Sequence, residues 1–151
     1  MNNRWQFHHI GIPVFDLDKS LENLKAMGEA TFEPEALIDS NKATAYLVNG
    51  EKPDCAILTR VAMGRVGSLA VELLQPLEGN TVHRQLLESV GEGIGHIAYT
   101  VEDLDAEVAA LEEKGFSVML SITPFGQQQR KIVYIDTRSH FNHLITELIQ
   151  A

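Results

Sequence analysis

Two histidines and two glutamates in this chain have the types and settings that could hold a divalent cation. His9 and His96 sit in short alternating runs. Glu72 and Glu147 each interrupt an apolar one, Leu69-Ala70-Val71-Glu72-Leu73-Leu74 and Leu144-Ile145-Thr146-Glu147-Leu148-Ile149. An acid inside so apolar a run is expensive unless something satisfies it, and a divalent cation would satisfy both. Two imidazoles and two carboxylates, with no thiolate, make a set suited to Ni, Co, Mn, Fe or Zn that keeps positions open for water or substrate. Open positions imply catalysis rather than a structural role.

The four residues gain weight because they are equivalent in pairs. Sliding the chain by 87 positions sets residues 9–28 against 96–115, with identities at His9/His96, Ile10/Ile97, Val14/Val101, Asp16/Asp103, Leu17/Leu104, Asp18/Asp105, Leu24/Leu111 and Gly28/Gly115. That is 8 of 20 positions, where chance gives about one, so the chain contains a duplication. The ends of the copies repeat as well. Val71-Glu72-Leu73-Leu74-Gln75 matches Thr146-Glu147-Leu148-Ile149-Gln150 at an offset of 75, which makes the second copy 87 − 75 = 12 residues shorter between its helix and its last strand.

Each copy is expected to run strand, helix, then three strands. Residues 8–14 and 96–101 alternate with period 2, while Leu17, Leu21, Leu24 and Leu104, Val108, Leu111 follow helical spacing. Asp16 and Asp103 are placed to cap the helix N-termini, and Gly28 and Gly115 to close the C-termini. Further strands are expected near 43–48, 55–61 and 69–74, then near 117–122, 131–136 and 144–149. The expected fold is α+β: tandem βαβββ modules forming a cupped, partly open mixed sheet with helices outside. One domain is expected over 1–151, with module 1 at about 7–75, a connector at 76–93 holding a helix at 82–90 behind Asn80-Thr81, and module 2 at about 94–150.

Alternation then fixes which side chains share a face. His8, Ile10, Ile12 and Val14 lie on one side of the first strand and suit the helix, which leaves His9, Gly11 and Pro13 on the other. The same logic turns His96, Ala98 and Thr100 away from the helix. His143 falls on the inward face with Ile145 and Glu147, as a weak substrate-side candidate. Arg60, Arg130 and Lys131 could grip a phosphate or carboxylate of a substrate. His83 and His140 read as exposed.

These motifs resemble the vicinal oxygen chelate superfamily, which includes glyoxalase I, epimerases, extradiol dioxygenases and bleomycin resistance proteins. The resemblance spans nearly the whole chain. It is closest to the methylmalonyl-CoA epimerases, through His8-His9-Ile10-Gly11-Ile12, Val71-Glu72-Leu73-Leu74-Gln75-Pro76-Leu77, Gly91-Glu92-Gly93-Ile94-Gly95-His96-Ile97-Ala98 and Glu147-Leu148. The resemblance implies metal ligands at His9, Glu72, His96 and Glu147. It also implies chemistry in which one divalent ion (Co, Ni, Mn, Zn or Fe) binds a carbonyl oxygen while a carboxylate moves a proton on the next carbon. Glu147 is the first candidate base and Glu72 the second. The implied substrate is an acyl-CoA thioester or, for a glyoxalase I-like lyase (lactoylglutathione lyase), a glutathione adduct. A metal-free binding protein of the bleomycin-resistance type is the reading from another class.

Two segments depart from the epimerase pattern. That pattern supplies a further glutamate from the strand before Glu72, and this chain has Asp54-Cys55-Ala56-Ile57-Leu58-Thr59-Arg60 there. A His-Pro-Lys turn is replaced by Ile135-Asp136-Thr137-Arg138-Ser139-His140-Phe141-Asn142.

Composition narrows the setting. The 151 residues are 44% hydrophobic and 22% charged, the balance of an ordinary globular domain. A net charge of −9 with no Lys/Arg cluster argues against nucleic acid. No apolar run approaches the roughly 20 residues that cross a bilayer. A lone cysteine and no signal-like N-terminus lead to the expectation of a cytoplasmic protein, and sheet edges with family habit to that of a homodimer.

Overall fold

Aspartates start the first and third helices, and each helix covers one face of the strands that follow it. The computed structural model describes residues 4–124 and 130–151. In chain order the elements are β1 (Trp5–Pro13), α1 (Leu17–Ala26), β2 (Ala30–Phe32), β3 (Ala36–Asp39), β4 (Ala45–Val48), β5 (Leu58–Val66), β6 (Leu69–Glu78), α2 (Val82–Val90), β7 (His96–Val101), α3 (Leu104–Glu112), β8 (Val118–Thr123), β9 (Ile132–Ile135), α4 (Arg138–Phe141) and β10 (Ile145–Gln150). The strands belong to an open mixed sheet of ten, so the fold is α+β. No helix among the described residues is long and apolar enough to cross a membrane.

Two compact units divide the chain, one made of His9–Asp39 and Cys55–Gly95, the other of the residues up to His8 with Ser40–Asp54 and His96–Ala151. In the first unit the strand order is β2-β5-β6-β1, with β3 also on β5. β1 and β6 run parallel, with Gly11 opposite Glu72, and β5 and β6 form a hairpin that turns at Gly67, whose φ of 58° suits glycine. The Asp16 carboxylate accepts from the Lys19 N–H to start α1. Leu17 and Leu21 of that helix bury against Val71, Leu73 and Ala62, with Ile10 and Ile12 packed beside them. Burial of each leucine is worth about 1.5–3 kcal/mol.

The second unit repeats the plan. β7 and β10 run parallel with Ala98 opposite Glu147, and β9, β8 and β4 follow outward in that order. Asp103 caps α3 by accepting from Ala106 N–H. Leu104 packs on Val101, Val133, Ile135 and Leu148, with Trp5 and Tyr99 at the margin. Trp5 donates its indole N–H to Glu107 on α3 at 2.8 Å.

The structure departs from the sequence expectation where the copies differ in length. β2 and β3 were not expected, and the strand near 43–48 pairs with β8 rather than with its own copy's strands. The additional length of the first copy is thus two strands, β3 and β4, set between β2 and β5. β5 begins at Leu58 rather than 55 and runs to Val66, because Pro53 precedes a bend at Asp54 and Cys55. The stretch 135–142, which stands in place of the His-Pro-Lys turn, contains α4, ended by Asn142 in the left-handed region at φ 49°. His83 is a further correction: it is 5% exposed, since α2 buries the stripe Val82, His83, Leu86 and Leu87.

Candidate metal centre

In the first unit the helix takes Ile10, Ile12, Val71 and Leu73 for its core, and strand alternation turns His9, Gly11 and Glu72 to the opposite face. His9 is buried at 3% exposure. Its Nε2 lies 3.3 Å from Glu72 Oε2. The residue across β5 from Glu72 is Met63.

The second unit builds the same arrangement. Tyr99, Val101 and Leu148 go to the α3 side, leaving His96, Ala98 and Glu147 on the other. His96 has no exposed surface and Glu147 only 3%. The contact from His96 Nε2 to Glu147 Oε2 is 3.1 Å. Across β9 from Glu147 stands Tyr134, whose ring meets the His96 imidazole edge-on, with centroids 5.3 Å apart and planes at 83°.

Each pair follows from register. The histidine stands two residues before a small residue, Gly11 or Ala98, and that residue lies directly opposite the glutamate on the parallel neighbour. One ligand atom from each of His9, Glu72, His96 and Glu147 can be chosen so that all lie within 4.8 Å of one another. Ligands about 2.1 Å from one ion stand about 3.0 Å apart when adjacent and about 4.2 Å when opposite. The two His–Glu contacts match the adjacent spacing. Donor chemistry fits as well, because carboxylates this buried favour a cationic neighbour and neutral imidazoles supply nitrogen donors. The group could hold a metal.

The remaining expected site residues lie elsewhere. Arg60 is on the helix side of β5. It donates to both Asp18 oxygens at 2.9 and 3.2 Å, to Glu35 Oε2 at 2.7 Å and to Gln75 Oε1 at 3.1 Å. Lys131 holds Asp105 at 2.8 Å at the start of α3. Both cations are held by carboxylates at helix starts, and the reason is strand parity: Arg60 shares a side with Ala62, and Lys131 with Val133. The Arg60 guanidinium beside Asp18 holds that carboxyl below its usual range, and the two carboxylates hold the Arg60 proton more firmly still. Arg130 is exposed and outside any strand.

His143 lies just before the last strand. β10 begins at Ile145, and both Asn142 and His143 adopt left-handed backbone, at φ 49° and 69°, so alternation does not carry back to His143 and it is not on the Glu147 face by strand geometry. Asp54 and Cys55 are exposed and precede β5. Tyr134 was not singled out from the sequence, because Ile132-Val133-Tyr134-Ile135 reads as a uniformly apolar strand. The signal that finds it is its cross-strand register with Glu147.

A family model described as the glyoxalase/bleomycin resistance protein/dioxygenase superfamily matches residues 8–134. The chain belongs to that superfamily. Within it, this glyoxalase-superfamily chain is 24% identical over 142 residues to the uncharacterized protein YqjC of Bacillus subtilis (strain 168), covering 94% of this chain and 89% of the relative. Among solved structures it is similar to methylmalonyl-CoA epimerase from Mycobacterium tuberculosis, at a TM-score of 0.68 and 21% identity over 99% of this chain and 91% of that one. It is similar too to a Streptomyces coelicolor methylmalonyl-CoA epimerase variant in complex with 2-nitronate-propionyl-CoA, at 0.69 and 23%, covering 97% and 96%. At these identities the likeness establishes the fold.

Proposed function

We propose that this chain is a divalent-metal-dependent enzyme that moves a proton on the carbon next to a carbonyl, as an epimerase of a methylmalonyl-CoA-like acyl-CoA thioester. The observation that carries the reading is the grouping of His9, Glu72, His96 and Glu147 within 4.8 Å. Of the four, His9 and His96 would supply nitrogen ligands, and Glu72 and Glu147 oxygen ligands. A divalent cation bound there supplies Lewis acidity toward a carbonyl oxygen and so acidifies the neighbouring C–H.

The chain's own residues then handle the proton. Glu147 takes it from the carbon as general base, and the electron pair left behind delocalises onto the carbonyl. Inversion requires a proton to return on the opposite face, and Glu72, entering the step as the carboxylic acid, is assigned to deliver it; Glu147 then releases its proton to solvent and Glu72 takes one back. The two repeats act as one domain in this reading, in a cytoplasmic homodimer, which sedimentation of the purified protein tests.

A second reading, a glyoxalase I-like lyase, is favoured by one specific feature. The strand before Glu72 offers no carboxylate of its own: Asp54 and Cys55 lie outside β5, and Met63 faces Glu72. Shuttling a proton between adjacent carbons needs fewer bases than two-sided epimerisation.

The deciding experiment measures metal by elemental mass spectrometry in untagged protein never exposed to chelator, beside His96→Ala. Near-stoichiometric metal lost in the variant supports the centre. Deuterium uptake from heavy water into acyl-CoA thioesters or hemithioacetals then separates epimerase from lyase. No metal, even after incubation with Co, Ni, Mn and Zn, overturns the enzyme reading in favour of a binding protein of the bleomycin-resistance type.

A further inference from the structure

The duplicated His–Glu pairs are not chemically identical, and the difference lies in the residue across the strand from each glutamate. In the first unit that residue is Met63, a flexible and partly exposed thioether. In the second it is Tyr134, 3% exposed. Tyr134 stands opposite Glu147 on one side and Leu120 on the other, and strand alternation directs it away from Val133 and Ile135, which belong to the helix-side core. Its ring contacts His96 edge-on at 5.3 Å and 83°. A T-shaped contact of this kind has a preferred geometry, because the positive ring edge meets the negative face of its neighbour. A buried ring of two rotatable bonds has little freedom to move. An imidazole in contact with it therefore has a restricted rotation about its own Cβ–Cγ bond, the rotation that decides where Nε2 points.

We propose that Tyr134 is a positioning residue of the second His–Glu pair: its ring, edge-on to His96 and cross-strand from Glu147, sets the imidazole orientation in which Nε2 is presented beside the Glu147 carboxylate. The proposal rests on the reading of these residues as metal ligands. The pair at His96 and Glu147 is thereby backed by a buried ring, and the pair at His9 and Glu72 by the partly exposed Met63.

The test is Co²⁺ titration of the full-length protein, following both affinity and the visible d–d spectrum, which reports ligand geometry without any substrate. Tyr134→Phe keeps the ring and is expected to bind within about 2-fold of the wild type with the same spectrum. Tyr134→Met installs the residue that the first repeat already uses at this position. It is expected to weaken Co²⁺ binding by about 10-fold or more, the scale on which supporting residues act on metal affinity, and to shift the spectrum. A Tyr134→Met protein that unfolds cooperatively and binds Co²⁺ with wild-type affinity and spectrum overturns the proposal, as does a Tyr134→Phe protein as impaired as Tyr134→Met. Should Tyr134→Met fail to fold, Tyr134→Leu and Tyr134→His provide the same comparison against Phe. Wild-type protein that takes up no Co²⁺ overturns the metal reading itself, and this proposal with it, and so is distinguishable from failure of the positioning role alone.

Discussion

Gln75 and Gln150 perform the same task in their respective units: each turns its side-chain oxygen onto the first N–H of a helix, Leu17 at 3.2 Å and Leu104 at 3.0 Å. The first N–H groups of a helix have no partner within it, and here the last strand of each repeat supplies one. The duplication thus extends to the joints between helix and sheet. Since Gln75 also accepts from Arg60, the first joint carries a charge as well.

Loss of either acceptor should cost about 1 kcal/mol, the usual net value of one such hydrogen bond. Gln150→Ala is expected to lower the urea midpoint with an unchanged slope. Gln75→Ala is expected to cost as much, because Arg60 loses one partner there and the Glu102 carbonyl loses one in Gln150→Ala. Equal midpoints for Gln75→Ala and wild type would show that water replaces the glutamine without loss.

The Arg60 clamp gives a pH-dependent signature. Asp18 has its carboxyl pKa depressed by the Arg60 hydrogen bonds and charge. A depressed folded pKa contributes stability that is fully present above the unfolded carboxylate value of about 3.9 and is lost as pH falls through the folded value. The gap in urea midpoint between wild type and Arg60→Met should therefore be present at pH 7 and shrink toward pH 3. Salt should narrow it at neutral pH, since Asp18 is exposed. A gap independent of both pH and salt would assign the Arg60 contribution to packing of its stem.

Tyr46 gives the alkaline counterpart. Burial raises its phenol to about 12, so the stability it contributes holds below the unfolded value of about 10 and is lost as pH climbs toward 12. Absorbance at 295 nm should show a late-ionising phenol that Tyr46→Phe removes. Unchanged late absorbance in the variant would place the burial elsewhere.

The parts of the fold legible in the sequence are those governed by local periodicity and by the repeat. β1, α1, β6 and their partners β7, α3, β10 carry alternation, capping aspartates and closing glycines, and the His–Glu pairing in each unit follows from strand parity and a parallel register. What stayed hidden depends on partners distant in sequence. β4 looks like any short apolar strand, and nothing local says that it joins β8. Arg60 and Lys131 read as free cations until Asp18 and Asp105 are seen to receive them. The facing of His143 was hidden for a backbone reason: alternation describes extended residues only, and two consecutive left-handed residues break it. Tyr134 is silent in sequence because its role depends on a neighbour across the strand.

The proposed division between two carboxylates makes a stereochemical prediction. In two-base epimerisation each face of the reacting carbon is served by one glutamate, so Glu147→Gln and Glu72→Gln should each reduce epimerisation by at least about 100-fold but differ in which epimer still exchanges its proton. With single epimers of a 2-methyl acyl-CoA thioester in heavy water, Glu147→Gln should retain washout from one epimer and Glu72→Gln from the other. Metal content measured on the same samples separates a lost base from a lost ligand, because only metal-replete variants bear on the proton. Folding is not expected to be at fault, since glutamine preserves the shape of each side chain. If both variants exchange the same epimer, or if Glu72→Gln turns over normally, Glu147 works alone and the one-base lyase reading takes precedence.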